Sequence, residues 1–141
     1  MSYARPTVRR EDLLYPDLSY DINGALFEVF RQLGGGHDEK YFQKATADSL
    51  RNRQIQFVEQ YYVPIKFNDG TIGRYYLDFL VEGKIVLELK RGKFVPAKII
   101  DQVTKYLDVL DLELALVACF THEGVSIKRI INPTKVPKTI K

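Results

Sequence analysis

Between Arg74 and Lys93 the chain reads RYYLDFLVEGKIVLELKRGK, two hydrophobic strands joined by a turn, with Asp78, Glu88 and Lys90 standing where apolar residues would be the easy choice. Ionised side chains are costly in a sheet covered on both faces, so they mark a site built for chemistry. Two carboxylates on neighbouring strands suit Mg²⁺ or Mn²⁺, which take oxygen ligands and keep waters that substrate phosphate oxygens can replace. A cation there can polarise a phosphodiester and supply hydroxide at neutral pH. Lys90 shares a strand face with Glu88, where it can orient the attacking water or stabilise developing negative charge. Zinc fits poorly, because His37, His122 and Cys119 are the only imidazole and thiol ligands and stand in no ligand spacing.

Whether both carboxylates reach one cation depends on the turn between the strands. Val86, Glu88 and Lys90 share one face of the third strand; Ile85, Leu87 and Leu89 share the other. A two-residue loop at Glu82-Gly83 would pair Asp78 with Leu87 and send the carboxylates to opposite faces. A three-residue loop at Val81-Glu82-Gly83, with Gly83 left-handed in a G1 bulge, pairs Asp78 with Val86 instead. Asp78 and Glu88 are then diagonal neighbours on one face, roughly 7–8 Å apart at Cβ. Gly83 stands where that second turn needs it. A salt-bridged cluster on a partly exposed sheet face explains the third strand equally well.

The elements that must position these residues follow from periodicity and breaks. A helix is expected from Ser19, an N-cap residue, through Ile22, Leu26, Val29, Phe30 and Leu33, until Gly34-Gly35-Gly36 stops it. That glycine run lacks the Lys-Ser/Thr of a phosphate-binding loop, so it reads as a helix break. A second helix spans about His37 to Arg53, with Asp38 and Glu39 in the first turn, where the helix dipole favours negative charge. FVEQYYVPIKF then reads as a strand in which Pro64 marks an edge or a bulge, and Asn68-Asp69-Gly70 turns it into a second strand from about Gly73 to Leu80. The third strand runs from Lys84 to Lys90, a third helix from Ala97 to Leu110, a buried strand from Leu114 to Phe120, and a last strand through VSIKRII. The class is α/β: a three-strand meander and returning strands in a mixed sheet, flanked by helices.

A chain of 141 residues fits one domain with a real core. No apolar run approaches the ~20 residues of a membrane span, and MSYARPTVRRED has no apolar signal region. Cys119, in LALVACF, reads as a buried thiol, and a cytoplasmic location is the default for so cysteine-poor a chain. Lys and Arg outnumber Asp and Glu by 21 to 18, too small an excess to argue for nucleic acid from total charge. Arg91, Lys93 and Lys98 are different, because they adjoin the suspected site and can hold phosphates. Residues 1–18 read as an N-terminal arm and residues 133–141 as a basic, mobile tail.

Asp78, nine intervening residues and then Glu88-Leu89-Lys90 resemble the D-x(n)-ExK signature of the PD-(D/E)XK nuclease superfamily. The stretch from Ser19 to Asn132, about four-fifths of the chain, is similar to the small GxxExxY proteins of that superfamily. The matching pieces are Gly24-Ala25-Leu26-Phe27-Glu28-Val29, Gly36-His37-Asp38-Glu39, Asp78, Glu88-Leu89-Lys90 and Ile127-Lys128-Arg129-Ile130-Ile131-Asn132. Two positions depart: Phe42 stands for the namesake Tyr, and Leu77 for the Pro of the superfamily name.

The resemblance implies a restriction endonuclease-like domain over residues 19–132 that hydrolyses phosphodiester bonds, of DNA rather than RNA, with Mg²⁺ or Mn²⁺. It implies metal binding by Asp78, Glu88 and the Leu89 carbonyl, catalytic help from Lys90, and a further acidic residue, Glu39, from the first core helix. Gln102 and Tyr106 resemble the Q-x3-Y motif of RecB-like nucleases, which would orient Lys90 or touch DNA beside Arg91, Lys93 and Lys98. Many such nucleases cut both strands as dimers, which brings a homodimer into view. The rival from another class is an inactive nuclease-fold module that binds nucleic acid or a protein.

Overall fold

A computed structural model describes residues 14–135. Helix α1 covers Pro16–Leu33, starting earlier than Ser19 because Pro16 supplies a first turn whose missing N–H has no helical partner to lose. Ser19 is therefore no cap; it is buried in the helix, and its hydroxyl accepts a hydrogen bond from Arg129. Ile22, Ala25, Leu26 and Val29 form the buried stripe. Gly34 ends the helix at φ 74°, donating its N–H to the Phe30 carbonyl.

Gly35 then passes so close to the backbone after Phe120 that a Cβ would lie 2.4 Å from the Thr121 carbonyl oxygen. Neither side of that contact is a flexible side-chain end, so Gly35→Ala is expected to destabilise the protein by about 1–3 kcal/mol. A lower urea midpoint at unchanged slope is the signature, and an unchanged midpoint would show that the loop yields freely.

Helix α2 covers Glu39–Asn52. It begins after His37, whose ring nitrogen is bonded to the Leu33 carbonyl at 2.9 Å, so that residue closes α1 instead of opening α2. The remaining elements are β1 (Phe57–Phe67), β2 (Gly70–Val81), β3 (Ile85–Arg91), α3 (Ala97–Val109), β4 (Leu114–Phe120) and β5 (Val125–Ile131). They build one five-stranded sheet in the order β1-β2-β3-β4-β5. Only β3 and β4 are parallel, joined by the α3 crossover; every other pair is antiparallel. The sheet is mixed and flanked by helices, an α/β fold as expected. β1 is an edge strand, the position in which Pro64 is tolerated. The β1–β2 hairpin is longer than its composition suggests, because Asn68 and Asp69 both take left-handed φ (47° and 64°) and close it tightly.

One sheet face packs Phe79, Val81, Ile85, Leu87 and Leu89 against α1 and α2. The other packs Val63, Leu77 and Val86 against Val103, Tyr106 and Leu107 of α3. Covered on both sides, β4 is buried at every position, which accounts for its unbroken apolar run. None of the described helices is long and apolar enough to cross a membrane. Most of the expected arm and tail lies outside the described residues. Within them, Thr134 bonds Asp108 and Asn132, and Lys135 pairs with Asp111.

Candidate active site

The two sheet faces exchange residues along β2. Leu77 belongs to the α3 side and Phe79 to the α1–α2 side, although two residues apart on a strand should face alike. Asp78 sits at the changeover. Opposite it in β1, Gln60 has a left-handed φ of 50°, and the β1–β2 register passes from Glu59↔Phe79 to Tyr61↔Leu77 without pairing these two. β2 also leaves β3 here. Their register runs Val81↔Ile85, Leu80↔Val86, Phe79↔Leu87 and stops, whereas β3 stays paired with β4 as far as Arg91↔Phe120.

The split frees backbone N–H groups, and the two carboxylates take them. Asp78 N–H donates to Glu88 Oε2 at 2.7 Å, and Leu89 N–H donates to Asp78 Oδ2 at 2.7 Å. Each side chain thus holds the other strand's backbone in a reciprocal clasp. Glu88 Oε1 accepts a further bond from the Tyr75 hydroxyl at 3.0 Å. The Tyr75 ring stacks on Tyr106 of α3, centroids 4.4 Å apart and 21° from parallel.

The turn differs from the expected one. Its loop is Glu82-Gly83-Lys84, between the partners Val81 and Ile85, with Glu82 (φ 54°) and Gly83 (φ 66°) both left-handed. Glu82 holds that conformation because its N–H donates to the Gln56 carbonyl and its carboxylate accepts from Gln56 N–H. The register is offset by two residues from the expected pairing, an even number that leaves Asp78 and Glu88 on one side. Continued past Phe79↔Leu87, it sets Asp78 opposite Glu88 and not Val86.

Electrostatics separates this pair from a surface salt-bridge cluster. Glu88 is 1% exposed; burial first and the Asp78 charge second push its carboxyl up to about 7, against the opposing pull of Asp78 N–H, Tyr75 and Lys90. Asp78 is also raised, by burial first and further by the Glu39 charge, while Leu89 N–H, Lys90 and the Gln60 side chain lower it. Burial and then Glu88 raise the Tyr75 hydroxyl, which stays a donor. Among the described residues the opposing pull of Lys90 and the donors leaves both carboxyls raised, and their oxygens keep lone pairs beyond the bonds they accept. Such a donor set fits a hard divalent cation.

Lys90 is half-buried, and its charge acts on Asp78, Glu88 and Cys119. Burial pushes the Cys119 thiol up, so it is unreactive. The Leu89 side chain lies in the α1–α2 core while its N–H serves Asp78. Glu39 is exposed in the first turn of α2, near enough for its charge to raise Asp78. The described residues contain no group of three or more His, Cys, Asp or Glu side chains placed to hold a metal ion. Arg91 and Lys93 line a depression of about 620 Å³ with Glu39 and His122, at the carboxyl ends of β3 and β4. Arg91 also lies 3.7 Å from Asp38. Lys98, Gln102 and Tyr106 line a different groove, between α3 and β1, so the basic residues divide between two flanks.

Residues the sequence did not single out complete the surroundings. Gln43 of α2 donates to the Asp78 carbonyl at 3.3 Å and to Glu59 at 3.2 Å. Tyr75 had no signal to separate it from Tyr76, which is exposed and meets Tyr62 across the hairpin.

The model of the PD-(D/E)XK nuclease superfamily matches residues 16–130. The chain belongs to the PD-(D/E)XK nuclease superfamily. Its members generally use divalent metal ions to cut nucleic acid. Among solved structures, the crystal structure of SSO0001 superposes with a TM-score of 0.54 at 16% identity, over 67% of this chain and 50% of that one. The likeness is one of fold, and this chain spans about half of that protein's length. No curated protein matches the chain significantly.

Proposed function

We propose that this PD-(D/E)XK protein is a Mg²⁺-dependent nuclease, with Mn²⁺ as a substitute, that hydrolyses phosphodiester bonds of DNA. The reading is carried by the Asp78–Glu88 clasp at the β2–β3 split, a half-buried and a buried carboxylate with Lys90 two residues beyond Glu88 on β3. Asp78 and Glu88 would hold the cation, with the Leu89 carbonyl as a further ligand. When bound, it supplies electrophilic polarisation of the scissile phosphate. Tyr75 fixes the Glu88 carboxylate through its hydroxyl. Lys90 places an ammonium beside the carboxylates, where it orients the attacking water or stabilises charge growing on the phosphate oxygens. Glu39 and Gln102 would complete the site, and Arg91, Lys93 and Lys98 would contact the backbone without reading sequence. Placement among the GxxExxY proteins rests on the ordered motifs from Gly24 to Asn132.

The test incubates purified protein with single- and double-stranded DNA and RNA, in Mg²⁺, Mn²⁺ or EDTA, beside Glu88→Ala and Lys90→Ala. Cleavage is expected with either cation, absent in EDTA, and lower by at least about 10²-fold in both variants, in line with loss of a group that stabilises transition-state charge. Cleavage that survives either substitution would overturn the mechanism. No cleavage, with salt-sensitive binding kept by both variants, would favour the non-catalytic module.

A further inference from the structure

Beyond Asp78 the β1–β2 hairpin has left β3 and packs over α3, with Val63 and Leu77 among Val103, Tyr106 and Leu107. Its far arm and α3 form the walls of a groove of about 790 Å³. Lys98, Lys105 and Val109 recur along one face of α3, and Ile65 and Lys66 face them from the hairpin. The wall therefore keeps apolar groups open to solvent, Val109 at 60% and Ile65 at 37% exposure. Among the described residues, Lys66, Lys98 and Lys105 line the groove against one acid, Asp101.

That combination asks for an occupant that is flat and apolar on one side and anionic on the other. A nucleotide has both, a base for the apolar wall and a phosphate for the lysines. The groove also leads to the chemistry: Tyr106 lines it, stacks on Tyr75, and Tyr75 donates to Glu88. An intact duplex cannot use such a site, because its bases are stacked inside and its exterior offers phosphates and groove edges.

We propose that the groove between the β1–β2 hairpin and α3 takes an unpaired nucleotide, so that the substrate is single-stranded or locally unpaired nucleic acid. This rests on reading Asp78 and Glu88 as the cutting site, and it makes a homodimer unnecessary for the reaction, since one strand needs one site.

The probes are fluorescent oligo-dT and a blunt mixed-sequence duplex, bound in EDTA so that no cutting occurs. They are compared across the wild type, Lys98→Glu/Lys105→Glu and Ile65→Ser/Val109→Ser, with thermal melts to verify folding. The wild type should bind the single strand at least tenfold more tightly than the duplex. Charge reversal should weaken single-strand binding at least tenfold and flatten its salt dependence. The serine pair should weaken it severalfold and leave duplex binding alone, which phosphate attraction cannot explain. Duplex bound as tightly as single strand, or serine variants that bind oligo-dT normally, would overturn the proposal, including the case in which the groove seats a protein. Glu88-dependent cleavage confined to duplex would sink the groove and spare the nuclease reading. Groove-dependent single-strand binding without any cleavage would do the reverse.

Discussion

Glu88→Gln is expected to make the protein more stable and inactive at once. Above neutral pH, without divalent cation, it should exceed the wild type by on the order of 1–3 kcal/mol and lose at least about 10²-fold in cleavage. Gln fits the bonds that Glu88 makes: its carbonyl oxygen can accept from Asp78 N–H, and its amide can donate to a Tyr75 hydroxyl that turns to accept. What disappears is a buried charge beside a second carboxylate. The sign follows from the raised carboxyl. The folded state holds the proton up to about pH 7, the unfolded state only to 4.5, so the wild type loses stability as pH rises between those values. The gap between variant and wild type should therefore be full above pH 7 and close towards pH 4.5. Denaturant titrations in EDTA across that range measure it. A variant less stable than the wild type above pH 7 would mean that the carboxylate's own bonds outweigh the burial of its charge, and that no stability is given up at this site.

The sequence was most readable where one physical effect dominated. Leu114 to Phe120 is apolar throughout because helices cover both faces of β4, and the apolar run and the strand share the same bounds. Asp78 and Glu88 were conspicuous because charge is rare in strands of this kind, and they meet at the β2–β3 split. Features that rest on competition between local signals were harder. Ser19 has the chemistry of a cap, yet Pro16 starts the helix before it. Gly83 indicated a left-handed turn residue, but nothing in the residue type of Glu82 announces a second one, which its bonds to Gln56 hold in place. The left-handed φ of Gln60, on a residue with no preference for it, was equally hidden, and it lies opposite the changeover that turns Asp78 towards Glu88. Tyr75 is legible only once α3 supplies Tyr106 to stack on it. Glu39 entered by resemblance, and its charge acts on Asp78.

Divalent cation should reverse the penalty that the acid pair imposes. At pH 8, Mg²⁺ or Mn²⁺ at about a hundred times its dissociation constant is expected to add about 2.7 kcal/mol to stability, roughly 8–10 °C in melting temperature for a chain of this size. The shift should shrink as pH falls through about 7, because the proton on Glu88 competes with the cation for the same oxygens. Each unit below that point lowers the apparent affinity about tenfold per proton displaced. Asp78→Asn is the control for structure, since the Asn carbonyl oxygen can still accept from Leu89 N–H and keep β2 and β3 joined. It should fold, melt no lower than the wild type in EDTA because the same repulsion is relieved, and show almost no cation shift, because half of the negative charge of the pair is gone. A shift of equal size at pH 5 and pH 8, or one that Asp78→Asn retains, would place the bound cation elsewhere. A shift that follows both pH and Asp78, with Glu88→Gln already stable without cation, would mean that the fold bears the repulsion between Asp78 and Glu88 in order to bind one ion between them.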